Sequence, residues 1–215
     1  WMVGSRTNII SHSYDFVGVM FCRVPTLAHE MAGKDPSDVM ATVALIVATY
    51  DDLCSETTHC TKIKSIGDIC LIGSGLLRQA PGRDEAVQTT VDAAVIEAVR
   101  PALREMVELG LTIAEHLDKE SRRVSVGVHC GSVVGGVLGD DRLIYDIFGD
   151  TVNTASRVMS SSGEGVWISG VMHDALKSED PTVADVATFR CLEAERRQMK
   201  GKDATNVHRV ARDER

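Results

Sequence analysis

Tyr145-Asp-Ile-Phe-Gly-Asp-Thr-Val-Asn-Thr-Ala-Ser-Arg157 changes its period half-way along. Up to Phe148 it closes an apolar run, with Leu143, Ile144 and Ile147, that reads as a strand over 142–148. Past Gly149 it reads as a short helix over 150–159, with Asp150 as its N-terminal cap. Asp146 therefore stands inside a strand, where a buried carboxylate without a partner is costly. Asn153 and Arg157 stand four apart, so one helix face presents a neutral and a cationic donor in the same direction.

Outward from that stretch the other elements follow. Upstream, Val124, Val126, Val128 and Cys130 alternate with polar or small residues and predict a half-buried strand. The following 131–139 reads as a glycine-rich loop or bulged strand edge. Apolar residues from Val87 to Ala114 recur in steps of three and four, which predicts a long helix over 84–117, bent near Pro101. Residues 61–68 and 69–73 form two short strands joined at a Gly67-Asp68 turn, a hairpin whose turn residues sit on a rim. An amphipathic helix is expected from Pro36 to Leu53, capped near Asp35 or Lys34, after a buried strand over 16–22 that Pro25 ends. Downstream come a strand at 166–169, a helix around 172–176, and strands at 188–192 and 207–210. This order predicts an α+β fold, a ferredoxin-like split βαβ sandwich with an antiparallel-rich sheet and helices on one face.

The 215 residues carry no Pro/Gly/Ser-rich linker, so one domain over 1–215 is expected, with its core at about 14–212. Its start at Trp1, without a signal pattern, reads as a piece excised from a larger protein. A net charge of −8 disfavours nonspecific contact with nucleic acid or anionic membranes. No apolar run approaches the roughly 20 residues of a membrane span. Six scattered cysteines suit a reducing, cytosolic setting better than a disulfide framework. The spacing of Cys54, His59 and Cys60 matches no familiar zinc pair. Cys22 and Cys130 read as core thiols, and His129 as a packed or exposed residue rather than a catalytic one.

Near the C-terminus, Met199-Lys-Gly-Lys202 places two ammonium groups on a loop where Gly201 lets backbone approach a ligand. Asn, Arg and Lys donors converging on one point suit a polyphosphate, and the residues by themselves indicate an anionic-ligand domain. Three segments then carry a resemblance: Lys62-Ile-Lys-Ser-Ile-Gly-Asp68 with Ser74-Gly-Leu76, the glycine-rich Gly127 to Gly139, and Tyr145 to Arg157. Together with the late Lys200-Gly-Lys202 they are similar to the signature segments of class III nucleotide cyclase catalytic domains, from about Phe16 to the end of the chain.

The resemblance implies a domain that works as a dimer, with nucleoside triphosphate converted at the interface to a 3′,5′-cyclic monophosphate and pyrophosphate. It implies two faces per site: one with two Asp holding two Mg²⁺ (or Mn²⁺), and one with residues for base, ribose and phosphates. By position Lys64 and Asp146 match the base-reading pair, in the types that suit adenine and hence ATP. Asn153 matches the ribose-orienting residue, Arg157 the transition-state Arg, Lys200 the phosphate Lys, and Asp68 the second metal Asp. Arg23, in Phe21-Cys22-Arg23-Val24-Pro25, stands at the first metal position and cannot ligate a cation. The pattern resembles the second half of heterodimeric adenylyl cyclases, which takes its metal carboxylates from a partner cyclase domain. On this reading an isolated homodimer is weak or inactive. The alternatives are a pseudo-cyclase that dimerises or regulates, and a homodimeric enzyme using Asp68 with one metal. For Arg157 the competing expectation is an ion pair with Asp150 or Glu164.

Overall fold

The computed structural model describes residues 10–25, 27, 31–76, 92–139, 142–177, 188–201 and 203–213. Among the described residues eight strands form one sheet in the order β2-β3-β1-β4-β6-β8-β7, with β5 joined to β4. They are β1 (Ile10–Arg23), β2 (Cys60–Ile66), β3 (Ile69–Ser74), β4 (Ser125–Leu138), β5 (Ile144–Phe148), β6 (Gly165–Ser169), β7 (Phe189–Arg197) and β8 (Thr205–Arg212). Among the described residues only the β4–β6 pairing is parallel, so the expected antiparallel-rich α+β sheet is what forms.

The helices among the described residues are α1 (Pro36–Ser55), α2 (Ala93–Lys119), α3 (Asp150–Ser162) and α4 (Gly170–Leu176). Asp35 caps α1, its carboxylate accepting from the Ser37 amide at 2.9 Å, with Pro36 in the first turn, where its missing N–H costs nothing. The Ser37 hydroxyl and amide hold the Asp35 carboxyl below its ordinary value. Asp92 caps α2 in the same manner, and α2 continues through Pro101. The part of the expected long helix over 84–91 lies outside the described residues.

Side chains alternate across the sheet and fill two layers. Met20, Cys22, Ile72, Val126, Val128 and Ile168 pack against α1, α2 and α4 through Ile46, Leu103, Met106 and Met172. Val17, Val19, Leu71 and Val133 face the other way, with Ala155 of α3 and Ile147 of β5. The fold class stands, but the helices do not all share a face: three cover one side and α3 the other. The reason is visible at Gly127, where an added Cβ would fall 2.1 Å from the Met159 amide nitrogen, so α3 lies directly on the strand backbone.

Two further details differ from the sequence expectation. Residues 131–138 are not a loop; they extend β4 and pair with β1 on one side and β5 on the other. The irregularity sits instead in β1, between Tyr14 and Val17, where one extra residue is accommodated. Strands at 188–192 and 207–210 run longer at one or both ends, as β7 and β8. Cys22, Cys54, Cys60, Cys70 and Cys130 are buried thiols outside any disulfide, and burial alone pushes the Cys130 thiol up to about 12.

Candidate functional site

The hairpin of β2 and β3 turns at Gly67, whose φ of +59° a side chain would strain. Along β2, Lys62 stands opposite Ile72 and Lys64 opposite Leu71, so Ile63 is an extra residue in the ladder. That bulge has a consequence for side-chain direction. Lys62 stays on the α1 side, paired with Asp51, while Lys64 joins Leu71 on the α3 side. There β5 meets it: Lys64 Nζ donates to Asp146 Oδ2 at 2.5 Å, and Asp146 Oδ1 accepts from the Ile147 amide at 2.9 Å. Asp146, 13% exposed, thus has both oxygens engaged over a floor that includes Ile63, Leu71 and Ile147. The Lys64 ammonium keeps further N–H groups, and the carboxylate further lone pairs, for an edge that presents an acceptor beside a donor.

Gly149 precedes α3 with φ 142° and ψ 171°, a conformation that is essentially glycine's alone, and no side chain caps the helix. Asp150 is its first residue and not its cap, because Gly149 occupies the cap position; the Asp150 carbonyl accepts from the Thr154 hydroxyl at 2.8 Å. Thr151, a residue without a distinguishing sequence signal, ties α3 to β4 by donating to the Ser132 carbonyl at 2.6 Å. With α3 fixed at Thr151 and Met159, Asn153 is exposed one turn before half-buried Arg157. The turn after β7 comes alongside: a Cβ on Gly201 would stand 3.9 Å from Arg157 Nη2. Lys200 on that turn is exposed, while Lys202 lies outside the described residues. Glu164 is taken by Arg123 at 2.9 Å. Among the described residues no carboxylate forms an ion pair with Arg157, contrary to the alternative drawn from the sequence.

Arg23 ends β1 opposite Ile69 of β3 and Ser125 of β4. Asp68, on the hairpin turn, is the next residue before Ile69. Among the described residues the two form no ion pair with each other, and Arg23 Nε is buried without a hydrogen-bond partner. The charge of Asp68 reaches Tyr50, whose phenol is pushed well above its ordinary value by burial first, then by Cys22, Cys70 and Asp68. A guanidinium beside a single carboxylate does not fit a paired divalent-metal site, since it brings donors where ligand oxygens are required. Nor do Cys54, His59 and Cys60 make one: the His59 ring and amide contact Glu105 at 3.0 and 2.6 Å, and no metal-binding cluster occurs among the described residues. His129 Nδ1 lies 2.6 Å from the Ser169 hydroxyl, in keeping with a packing role. No helix among the described residues is long and apolar enough to cross a membrane.

Comparison with known proteins agrees with this arrangement. Residues 9–211 match the family model described as the adenylate and guanylate cyclase catalytic domain. An adenylate cyclase of Mycobacterium tuberculosis is 27% identical over 80% of this chain and 36% of its own length. Human atrial natriuretic peptide receptor 2 is 28% identical over 91% of the chain and 17% of the receptor, and a membrane guanylyl cyclase of Dictyostelium discoideum is 27% identical over 75% and 10%. The chain therefore spans between 10% and 36% of the length of these relatives. Among solved structures, the catalytic core of a rhodopsin-guanylyl cyclase with converted specificity, in complex with ATPαS, superposes with a TM-score of 0.71 at 25% identity over 94% of this chain and 98% of that one. An adenylyl cyclase from P. aeruginosa shares the fold, with a TM-score of 0.73 at 16% identity over 95% and 97%. This chain belongs to the adenylate and guanylate cyclase catalytic domain family.

Proposed function

We propose that the domain is the nucleotide-binding half of an adenylyl cyclase, which converts ATP to 3′,5′-cyclic AMP and pyrophosphate at an interface with a second cyclase domain. The observation that carries this reading is the Lys64–Asp146 contact at 2.5 Å. Its ammonium can donate to adenine N1 and its carboxylate can accept from the N6 amino group, whereas guanine presents the reverse pattern at that edge. Asn153 orients the ribose, so that its 3′-oxygen faces the α-phosphorus. Arg157, without a competing ion pair among the described residues, stabilises the charge that grows on the α-phosphate oxygens. Lys200 holds the terminal phosphates that depart as pyrophosphate. The Mg²⁺ or Mn²⁺ of the reaction is held by carboxylates of the partner, because Arg23 and Asp68 do not make a paired-metal site. The unbridged cysteines suit a cytosolic setting.

Arg23 also favours a second reading, a pseudo-cyclase that keeps the nucleotide face and acts as a dimerising or regulatory module. One experiment separates the two. Cyclic nucleotide formation from Mg·ATP, Mn·ATP and Mg·GTP is measured for the domain alone and mixed with a metal-bearing cyclase half. Cyclic AMP from the mixture and none from the domain alone is the expected result. Activity of the domain alone overturns the role given to Arg23, and inactivity with every partner leaves the pseudo-cyclase. In the active mixture, Lys64→Glu with Asp146→Cys shifts preference towards GTP; an unaltered ratio removes these two from base reading.

A further inference from the structure

Arg23 is in step along β1 with Val17, Val19 and Phe21, whose side chains pack towards α3. It therefore leaves the sheet on the face that also carries Lys64, Asp146 and Arg157. Strands flank it on both sides, at Ile69 and Ser125, so the guanidinium base is enclosed while the residue as a whole stays half-exposed. Its Nε is buried and has no acceptor, and among the described residues no carboxylate forms an ion pair with it. A buried donor left unsatisfied is unusual in a folded protein and calls for an acceptor. Among the described residues Asp68 forms no ion pair with Arg23, although the hairpin register brings it next to Arg23's partner Ile69.

The acceptor can be identified by its chemistry. Guanidinium groups bind phosphate oxygens through paired N–H donors, in a planar fork that an ammonium cannot offer. Asp146, a carboxylate on this face, is already engaged by Lys64. Arg23, Arg157 and Lys200 then leave the face with an excess of positive charge that suits a polyanion.

We propose that the end of β1 around Arg23 is a polyphosphate-anion site that binds without a divalent cation, the guanidinium standing in for the metal ion that this corner cannot hold. The chemistry is shared by inorganic pyrophosphate and by the triphosphate of a nucleotide; only the second source rests on the function proposed above. Isothermal titration of the whole domain with pyrophosphate and, separately, with ATP, each in EDTA and in Mg²⁺, tests it. Pyrophosphate binds in EDTA, Arg23→Ala weakens that binding at least tenfold, and Arg23→Lys restores part of it. In an Arg157→Ala, Lys200→Ala background, the binding that remains in EDTA still depends on Arg23. Binding that requires Mg²⁺, or that Arg23→Ala leaves unchanged, overturns the proposal. ATP that fails to bind in either medium while pyrophosphate binds through Arg23 overturns the nucleotide reading and leaves the anion site standing.

Discussion

Two corners of the sheet each bring a cation and a carboxylate close along the chain or the strand register, and they are built differently. Lys64 and Asp146, 82 residues apart, meet at 2.5 Å, and the Ile147 amide holds the second carboxylate oxygen. Arg23 and Asp68 are brought to one end of the β1–β3 pairing and do not join. A satisfied pair fixes its own geometry before any ligand arrives, so the first corner suits the reading of shape and hydrogen-bond pattern. An unsatisfied guanidinium waits for an external oxygen, so the second suits charge alone. Recognition of a base and capture of an anion are therefore separable in this fold, and substitutions should separate them.

The largest effect is expected at Arg157, which belongs with neither corner. If it acts on charge that develops during reaction, Arg157→Ala lowers turnover of the mixed domains by about 10²–10³-fold with little change in ATP affinity. Steady-state kinetics beside ATP titration is the check; equal losses in both would make Arg157 a ground-state phosphate holder. Next comes the self-satisfied corner. Asp146→Asn removes the charge of the acceptor and leaves the Lys64 ammonium facing a neutral amide, which forfeits part of the roughly 1.5–3 kcal/mol of a hydrogen bond to a charged group. Preference for ATP over GTP should fall by about tenfold or more, while pyrophosphate binding at Arg23 stays within twofold. A parallel loss of pyrophosphate binding would show that the corners are coupled.

A third substitution tests the scaffold that separates strand-borne from helix-borne groups. In Gly127→Ala the new methyl would fall 2.1 Å from the Met159 amide nitrogen, so α3 must move off β4. Overpacking of this kind costs roughly 1–3 kcal/mol. The melting temperature falls, and turnover falls with it through Asn153 and Arg157. Base preference, carried by β2 and β5, is retained. An unshifted melting temperature would mean that α3 yields without cost.

How far these features could be read from the sequence depends on how local their causes are. The Asp35 cap, the Gly67 turn and the α1 and α3 helices follow from short-range chemistry, and the sequence locates them within a few residues. Residues 131–139 read as either a loop or a bulged strand edge because the five glycines over 127–139 weaken every strand signal; pairing of 131–138 to β1 and β5 on both sides decides for the strand. The position of α3 on the opposite face was not legible, since its cause is the contact of Gly127 with Met159, two residues with no periodic relation. Within the site, Lys64 and Asp146 were nameable through family resemblance. The reason they meet, a bulge at Ile63 that turns Lys64 to the α3 side, is a register property of two strands. The same holds for Arg23: its misfit with a metal site is chemistry that any sequence shows, but its buried, unsatisfied Nε exists only once β3 and β4 flank it.

The smallest expected effect lies away from both corners and distinguishes scaffold titration from site titration. His173 on α4 stacks on His208 of β8, with ring centroids 3.9 Å apart and planes 15° from parallel. His208 is buried, and its Nδ1 lies 3.1 Å from the Leu192 carbonyl oxygen, which fixes that ring. Burial first, then His208 and Lys177, lower the His173 pKa from its ordinary 6.5, against the opposing pull of Asp174. Arg100 and Arg104 of α2, which donate to the Ala175 and Leu176 carbonyls, add no compensating negative charge. The unfolded chain therefore binds this proton more readily than the folded one. Stability is full above the ordinary histidine range and is lost as pH falls through about 6.5 towards the depressed folded value. Melting temperature should fall between pH 7.5 and 5.5 by less in His173→Gln than in the parent. Equal slopes would show that the stack does not carry the dependence, and a steeper fall in the variant would reverse the sign of the His173 contribution.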